Sequence, residues 1–328
     1  MPAITDLHLR DSIPDDSEGP YSYPVVDLPY LRVLSISSGT GTLTTVLPHI
    51  TFPHSAVLDL TCKEKQSTQI DFSNFLSVLT TKFLSSLVIR SLSLWVLDDI
   101  QSTLEFCLYT TAIIQDCCPF ESSLIPQFQL QLVLTWPSSW SHSYVKVLTC
   151  AVDIMSLPFL TQLRISTYDY IDSQTWVNTF GSLPSLEWVC LQGSASHRFL
   201  GALDYKTKAA EKLKTAYCNV SFPKLRYVYL DGTSFERTNL DSISVDMLSD
   251  YLMERCERNV KVQVFRMDYC YPITSVDVKR LKEIVIDVIW DGEGWVEALC
   301  DSEEDRDFDD DGKFFNDLDY DYVDFSSD

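Results

Sequence analysis

LPSLEWVCLQG, residues 183–193, opens on a leucine–proline turn and then places apolar side chains at Leu186, Val189 and Leu191. Val189 and Leu191 have the alternate spacing that puts both on one face of a β-strand. Nearly the same phrase stands at 157–167 as LPFLTQLRIST and at 222–232 as FPKLRYVYLDG. A chain that writes one strand three times is assembled from repeats, each burying its apolar face against the next.

The apolar–x–x–apolar–x–apolar spacing extends both ways from there. It fits Ile4/Leu7/Leu9, Leu31/Leu34/Ile36 and Leu84/Leu87/Ile89, and in weaker form Leu58/Leu60, Leu132/Leu134, Val262/Phe265/Met267 and Leu281/Ile284/Ile286. The mean step is about 31 residues, at the long end of leucine-rich repeats. Between the phrases the period changes to helical. DFSNFLSVLTTKF puts Phe72, Phe75, Leu76, Leu79 and Phe83 on one stripe, and SVDMLSDYLMERC does so with Leu248, Tyr251, Leu252 and Cys256. Ser244 is the expected N-cap of the latter, and TSVD at 274–277 has the form of a capping box. Further helices are expected in SHSYVKVLTCAVDIM, DSQTWVNTF and SHRFLGALDYKTKAAEKLKTAY.

Strand alternating with helix predicts the α/β class, as an irregular leucine-rich-repeat solenoid over residues 1–290 with parallel strands on the concave face and helices outside. LEFCLYTTAII, 104–114, lies in the longest interval and predicts a hairpin or an extra strand. Ser194 and Thr233 stand where a regular repeat carries asparagine, so irregular curvature is expected.

The chain has 328 residues, 45% of them hydrophobic, and a net charge of −22. That charge argues against binding a phosphate backbone, so no nucleic-acid partner is expected. Residues 301–328 hold 13 acids against Arg306 and Lys313, and 291–328 are read as a disordered acidic tail. DFDDDGKFFNDL in that tail begins like a calcium loop but has Leu318 where a bidentate glutamate belongs. No apolar run reaches the ~20 residues of a membrane helix, so no membrane partner is expected. The 10 cysteines form no C-x-x-C pair and read as reduced thiols of a cytoplasmic or nuclear protein, with the sequon at Asn219 unused. His8, His49, His54, His142 and His197 lack metal-ligand spacing, and no nucleophile elbow, phosphate loop or zinc helix occurs. Neither a cofactor nor catalysis is expected.

The strings LPHITFPHSAVLDLTC (47–62), the repeated LP-L--L-I phrases and FPKLRYVYLDG resemble the F-box/leucine-rich-repeat proteins of mushroom-forming fungi over approximately residues 1–290. In that family an F-box binds the adaptor of a cullin ubiquitin ligase and the repeats recruit a substrate. The resemblance implies a protein-interaction scaffold, with the adaptor a partner only if an F-box exists upstream, because no Leu-Pro-x-Glu segment with an F-box-like helical pattern occurs in the chain. The alternative is a free-standing repeat protein, truncated or decayed, with no ligase role.

In either case the strand residues between the core positions face the partner side. They give an aromatic patch of Trp188, Tyr227 and Tyr229, flanked by Arg164 and Arg266, with Asp231 at its rim. Trp, Tyr and Arg are the types enriched at binding hot spots. The competing reading stacks these aromatics on each other or puts them beneath the tail, and the tail's own aromatics suggest that it folds back over the patch. EIVIDVIWDGEG, 283–294, reads as the last strand of the repeat series, or else as a short acidic-flanked segment for strand addition.

Overall fold

A computed structural model of the chain describes residues 3–11, 24–64, 71–98, 101–112, 128–137, 144–167, 171–204, 220–235 and 244–292. Residues 293–328 of the acidic tail, with its calcium-like loop, and Asn219 lie outside these residues.

The strands are β1 (Asp6–Arg10), β2 (Val26–Asp27), β3 (Val33–Gly39), β4 (Ile50–Thr51), β5 (Val57–Lys63), β6 (Ser91–Asp98), β7 (Gln101–Tyr109), β8 (Leu130–Pro137), β9 (Gln162–Thr167), β10 (Trp188–Gly193), β11 (Tyr227–Asp231), β12 (Val264–Asp268) and β13 (Asp287–Trp290). All but β2 and β4, which pair with each other, form one sheet of eleven strands in the order β1-β3-β5-β8-β7-β6-β9-β10-β11-β12-β13. The sheet is open, with β1 and β13 at its edges, and parallel except where β7 meets β6 and β8.

The expected extra strand is therefore β7, but the serial strand order expected of a regular repeat is corrected here. Strands β6, β7 and β8 form an antiparallel meander laid in backwards, so β8 lies beside β5 and β6 beside β9. The meander stays in the sheet because its alternation matches that of its neighbours: Leu104, Phe106 and Leu108 are all buried.

One apolar residue from each strand falls in one registered row: Leu9, Ile36, Leu60, Leu132, Phe106, Leu94, Ile165, Leu191, Leu230, Met267 and Trp290. Three expected phrases are displaced. Leu130/Leu132, not Leu132/Leu134, is the pair that aligns with Leu58/Leu60. The strand assigned to Leu84/Leu87/Ile89 starts later, at Ser91, because Leu84–Ser86 form a 3₁₀ turn, and Ile89/Leu92/Leu94 is the phrase that fits. Leu281 and Ile284 are helical and Ile286 is exposed, so Val285/Val288/Trp290 replaces Leu281/Ile284/Ile286.

Seven α-helices occur among the described residues: α1 (Thr40–Val46), α2 (Ser73–Lys82), α3 (Tyr144–Met155), α4 (Ser173–Thr179), α5 (Ala195–Asp204), α6 (Val245–Glu257) and α7 (Ser275–Ile284). Consecutive helices pack side by side, and their apolar stripes join the strand row in one hydrophobic core. The stripe Phe72, Phe75, Leu76, Leu79, Phe83 is buried throughout. Ser244 caps α6 by accepting from Met247 N, and Thr274 and Asp277 make a reciprocal capping box on α7.

Backbone bonds repeat with the phrases. Prolines 29, 158 and 223 each occupy the second position of a turn closed by Leu31 N to Leu28 O, Leu160 N to Leu157 O and Leu225 N to Phe222 O. Each strand is then locked at its entrance: Thr161 N donates to Arg90 O, Glu187 N to Thr161 O, Arg226 N to Glu187 O, Gln263 N to Arg226 O and Asp287 N to Gln263 O.

Beneath the helices, Trp176, Phe199 and Phe222 stack edge to face at 5.1 and 5.3 Å between ring centres. Phe222 has φ of 56°, and its carbonyl and that of Ser221 accept from the guanidinium of Arg255, each at 2.8 Å. Arg255 is 1% exposed, on the same stripe of α6 as Leu248 and Leu252. Burial first, and then the like charge of Arg258, pulls its pKa down to about 10, which leaves it charged at neutral pH. Two charge-assisted bonds and a desolvated cation depend on one another, so Arg255→Ala is expected to lower stability by about 2–4 kcal/mol in chemical denaturation. Arg255→Lys, which can reach only part of the pair, is expected to fall between the two.

Candidate partner-binding face

The strand face opposite the helices carries the residues between the core positions, aligned by register. Gln162, Trp188, Tyr227 and Val264 form one row, Arg164, Cys190, Tyr229 and Arg266 the next, and Ser166, Gln192, Asp231 and Asp268 the third. The six candidate residues are thus brought together on four adjacent strands, β9 to β12. Trp188, Cys190 and Tyr229, with Tyr227 against them, form an apolar cluster separate from the main core. Arg164 (2% exposed), Trp188 (6%), Tyr229 (5%) and Asp231 (9%) are buried, whereas Tyr227 and Arg266 are half-buried and present the accessible part of the patch. Arg266 does not flank the aromatics as a free cation. Its guanidinium lies 4.9 Å from the Tyr229 ring centre and holds Asp268 Oδ2 through Nε at 2.9 Å and a second nitrogen at 2.6 Å. Tyr229 donates its hydroxyl to the same oxygen at 2.7 Å.

Beyond the patch the strand ends make a rim. Gln192–Gly193, Asp231–Gly232, Asp268–Tyr269 and Asp291–Gly292 each put a polar residue ahead of one with positive φ, at 69°, 64°, 54° and 78°. A side chain on Gly193 would meet Thr167 O at 2.6 Å, so that turn needs glycine for close approach as well as for φ. Asp231 and Asp268 are register partners, and Asp291 follows Trp290, the partner of Met267, so three aspartates end three neighbouring strands. Like charges at strand spacing repel. Asp268 is ion-paired with Arg266 and accepts from the Tyr229 hydroxyl, and Asp291 Oδ2 accepts from Tyr269 N at 2.6 Å.

Among the described residues Asp231 has no such donor. Burial first, then the charges of Asp268 and Asp291, push its carboxyl up to about 6, against a smaller opposing pull from Arg266. The Tyr229 hydroxyl is held protonated far above its ordinary range by burial and by its bond to Asp268.

The other half of the face combines a second apolar cluster, buried Cys107 and Tyr109 with Trp95 and Phe128 packed against them, with polar pairs. Ser35 donates to Asp59 at 2.9 Å and Gln131 to Glu105 at 2.6 Å, with Trp95 and Glu105 paired across β6 and β7. Trp95, Glu105 and Gln131 were not legible from the phrases because the meander that places them reverses direction. The signal for Asp291 was present in the sequence as WDG at 290–292, a copy of the LDG at 230–232.

Among the described residues no group of three or more His, Cys, Asp or Glu side chains is arranged to hold a metal, and no helix is long and apolar enough to cross a membrane. The six described cysteines are free thiols, and burial raises those of Cys62 and Cys270 to about 12, which keeps them protonated and poorly nucleophilic. No family model, no curated protein and no solved structure matches this chain.

The raised carboxyl of Asp231 has a definite sign. Its native pKa of about 6 lies above the ordinary 3.8, so between those values the native state holds the proton more tightly than the unfolded chain. Stability from this group is full below the lower value and is lost as pH rises through the higher one. Asp231→Asn is therefore expected to be more stable than wild type at neutral pH by about 1–3 kcal/mol, with the difference closing as pH falls toward 4. Denaturant titrations of both proteins across that range check it.

Proposed function

We propose that the chain is a leucine-rich-repeat solenoid serving as a protein-interaction scaffold, with a partner docking on the strand face around Tyr227 and Arg266. The observation that supports this reading is the aromatic cluster of Trp188, Tyr227 and Tyr229, which stands apart from the main core on the strand face. Buried Trp188 and Tyr229 form the platform, and Tyr227 is its accessible contact. The resemblance to F-box/leucine-rich-repeat proteins implies the substrate-recognition repeats of a cullin-type ubiquitin ligase, and the alternative is a free-standing repeat protein, truncated or decayed, with no ligase role.

The test uses the full chain as bait in intracellular proximity labelling, beside Tyr227→Ala. A hot-spot truncation worth ~2 kcal/mol weakens binding about thirtyfold, so the specific partners of the wild type are expected to disappear from the variant. An identical partner set would remove this face from the interaction. Purified ligase adaptor, mixed with the chain, separates the two forms of the proposal: binding supports a ligase receptor, and no binding supports a free-standing interaction protein.

A further inference from the structure

We propose that the protein pairs with a second copy of itself, strand β1 against strand β1 across a twofold axis. This goes beyond the partner-binding face and does not depend on it. β1 is an edge of the sheet, and among the described residues no strand pairs with its outer side. Thr5 O and Asp11 N bond inward, to Val33 N and Ser37 O of β3. Alternate residues of a strand turn their backbone groups the same way, so the N–H and C=O of Asp6, His8 and Arg10 point outward. Leu7 and Leu9 are only half-buried against the core, and α1, the first described helix, packs on β3 and β5. An edge of this kind is a template for another strand.

The occupant follows from the strand itself, because DLHLR, 6–10, is complementary to its own reverse. Antiparallel pairing centred on His8 sets Asp6 opposite Arg10 of the second copy, and Arg10 opposite its Asp6. Asp6 and Arg10 are both exposed on the strand face, where these charges can meet. The same register sets Leu7 opposite Leu9, so the half-buried leucines of both copies cover one another on the helix side. It also opposes the residues whose backbone groups point outward, and residues so opposed exchange both bonds. A slip of one residue would lose that match, and a slip of two would leave Asp6 and Arg10 without opposite charges. The other edge, β13, carries Asp287 and no cation, so it lacks this complementarity. The pairing is isologous and stops at two copies. It places two strand faces on one side of a continued sheet, which suits a bivalent partner.

The experiment is sedimentation velocity on the full chain at physiological salt, over rising protein concentration. Wild type is expected to pass from monomer to dimer and to form no larger species. Asp6→Arg sets like charges opposite each other twice and is expected to weaken the dimer about tenfold. Asp6→Arg combined with Arg10→Asp exchanges the two charges and is expected to restore the dimer, a recovery that a folding defect would not show. Ile289→Arg, at an exposed position of β13, is expected to leave the dimer unchanged. A monomer at every soluble concentration overturns the proposal, as does an unchanged dimer in Asp6→Arg or a lack of recovery in the double variant. Growth beyond the dimer overturns it in favour of head-to-tail pairing of β1 with β13. Loss of the dimer in Ile289→Arg overturns it in favour of a seam at β13.

Discussion

One apolar row, running through register partners on all eleven strands, is the constraint on which the rest depends. Because strand side chains alternate, fixing Leu9, Ile36, Leu60, Ile165, Leu191, Leu230 and Met267 against the helices also fixes every intervening residue on the other face. A slip of one residue in any strand would expose its leucines and bury its polar residues. The helices supply the other half of the contact, and the proline turns and strand-entrance bonds set where each strand begins.

That constraint explains why the candidate face has the character it does. Its side chains are not selected by the core, so the strand face carries aromatic, acidic, cysteine and arginine residues in the same rows. Some have been absorbed into local structure: Arg266, Asp268 and Tyr229 satisfy one another. Others have not, and Asp231 retains a carboxylate in a place where burial and two neighbouring carboxylates oppose its charge.

Much of this was legible in the sequence, for reasons that differ from element to element. Strands β9, β10 and β11 follow from the proline phrase, α2 from its phenylalanine and leucine stripe, and α7 from the Thr274–Asp277 box, because each signal is local. The phrases at 84–89 and 281–286 were misplaced because an apolar spacing fits the end of a helix as readily as the start of a strand. The reversed order of β6, β7 and β8 is set by pairing between segments distant in sequence, which no local pattern encodes. At the site, alternation gave the membership of each row, but not that Arg164, Trp188 and Tyr229 are buried while Tyr227 is accessible. Arg255 was overlooked because a charged residue on an apolar stripe looks like an interruption of it, although here it holds two backbone carbonyls.

The reversed meander is the most demanding element of the fold, since the continuous row exists only if β8 and β6 occupy the places given to them. Cross-strand nuclear Overhauser contacts in a selectively labelled sample address it directly. Contacts between Asp59 and Gln131 and between Ser93 and Arg164 are the predicted result, the first joining β5 to β8 and the second joining β6 to β9. Contacts between β5 and β6, with β8 against β9, would contradict the register on which the core row and the candidate face both rest.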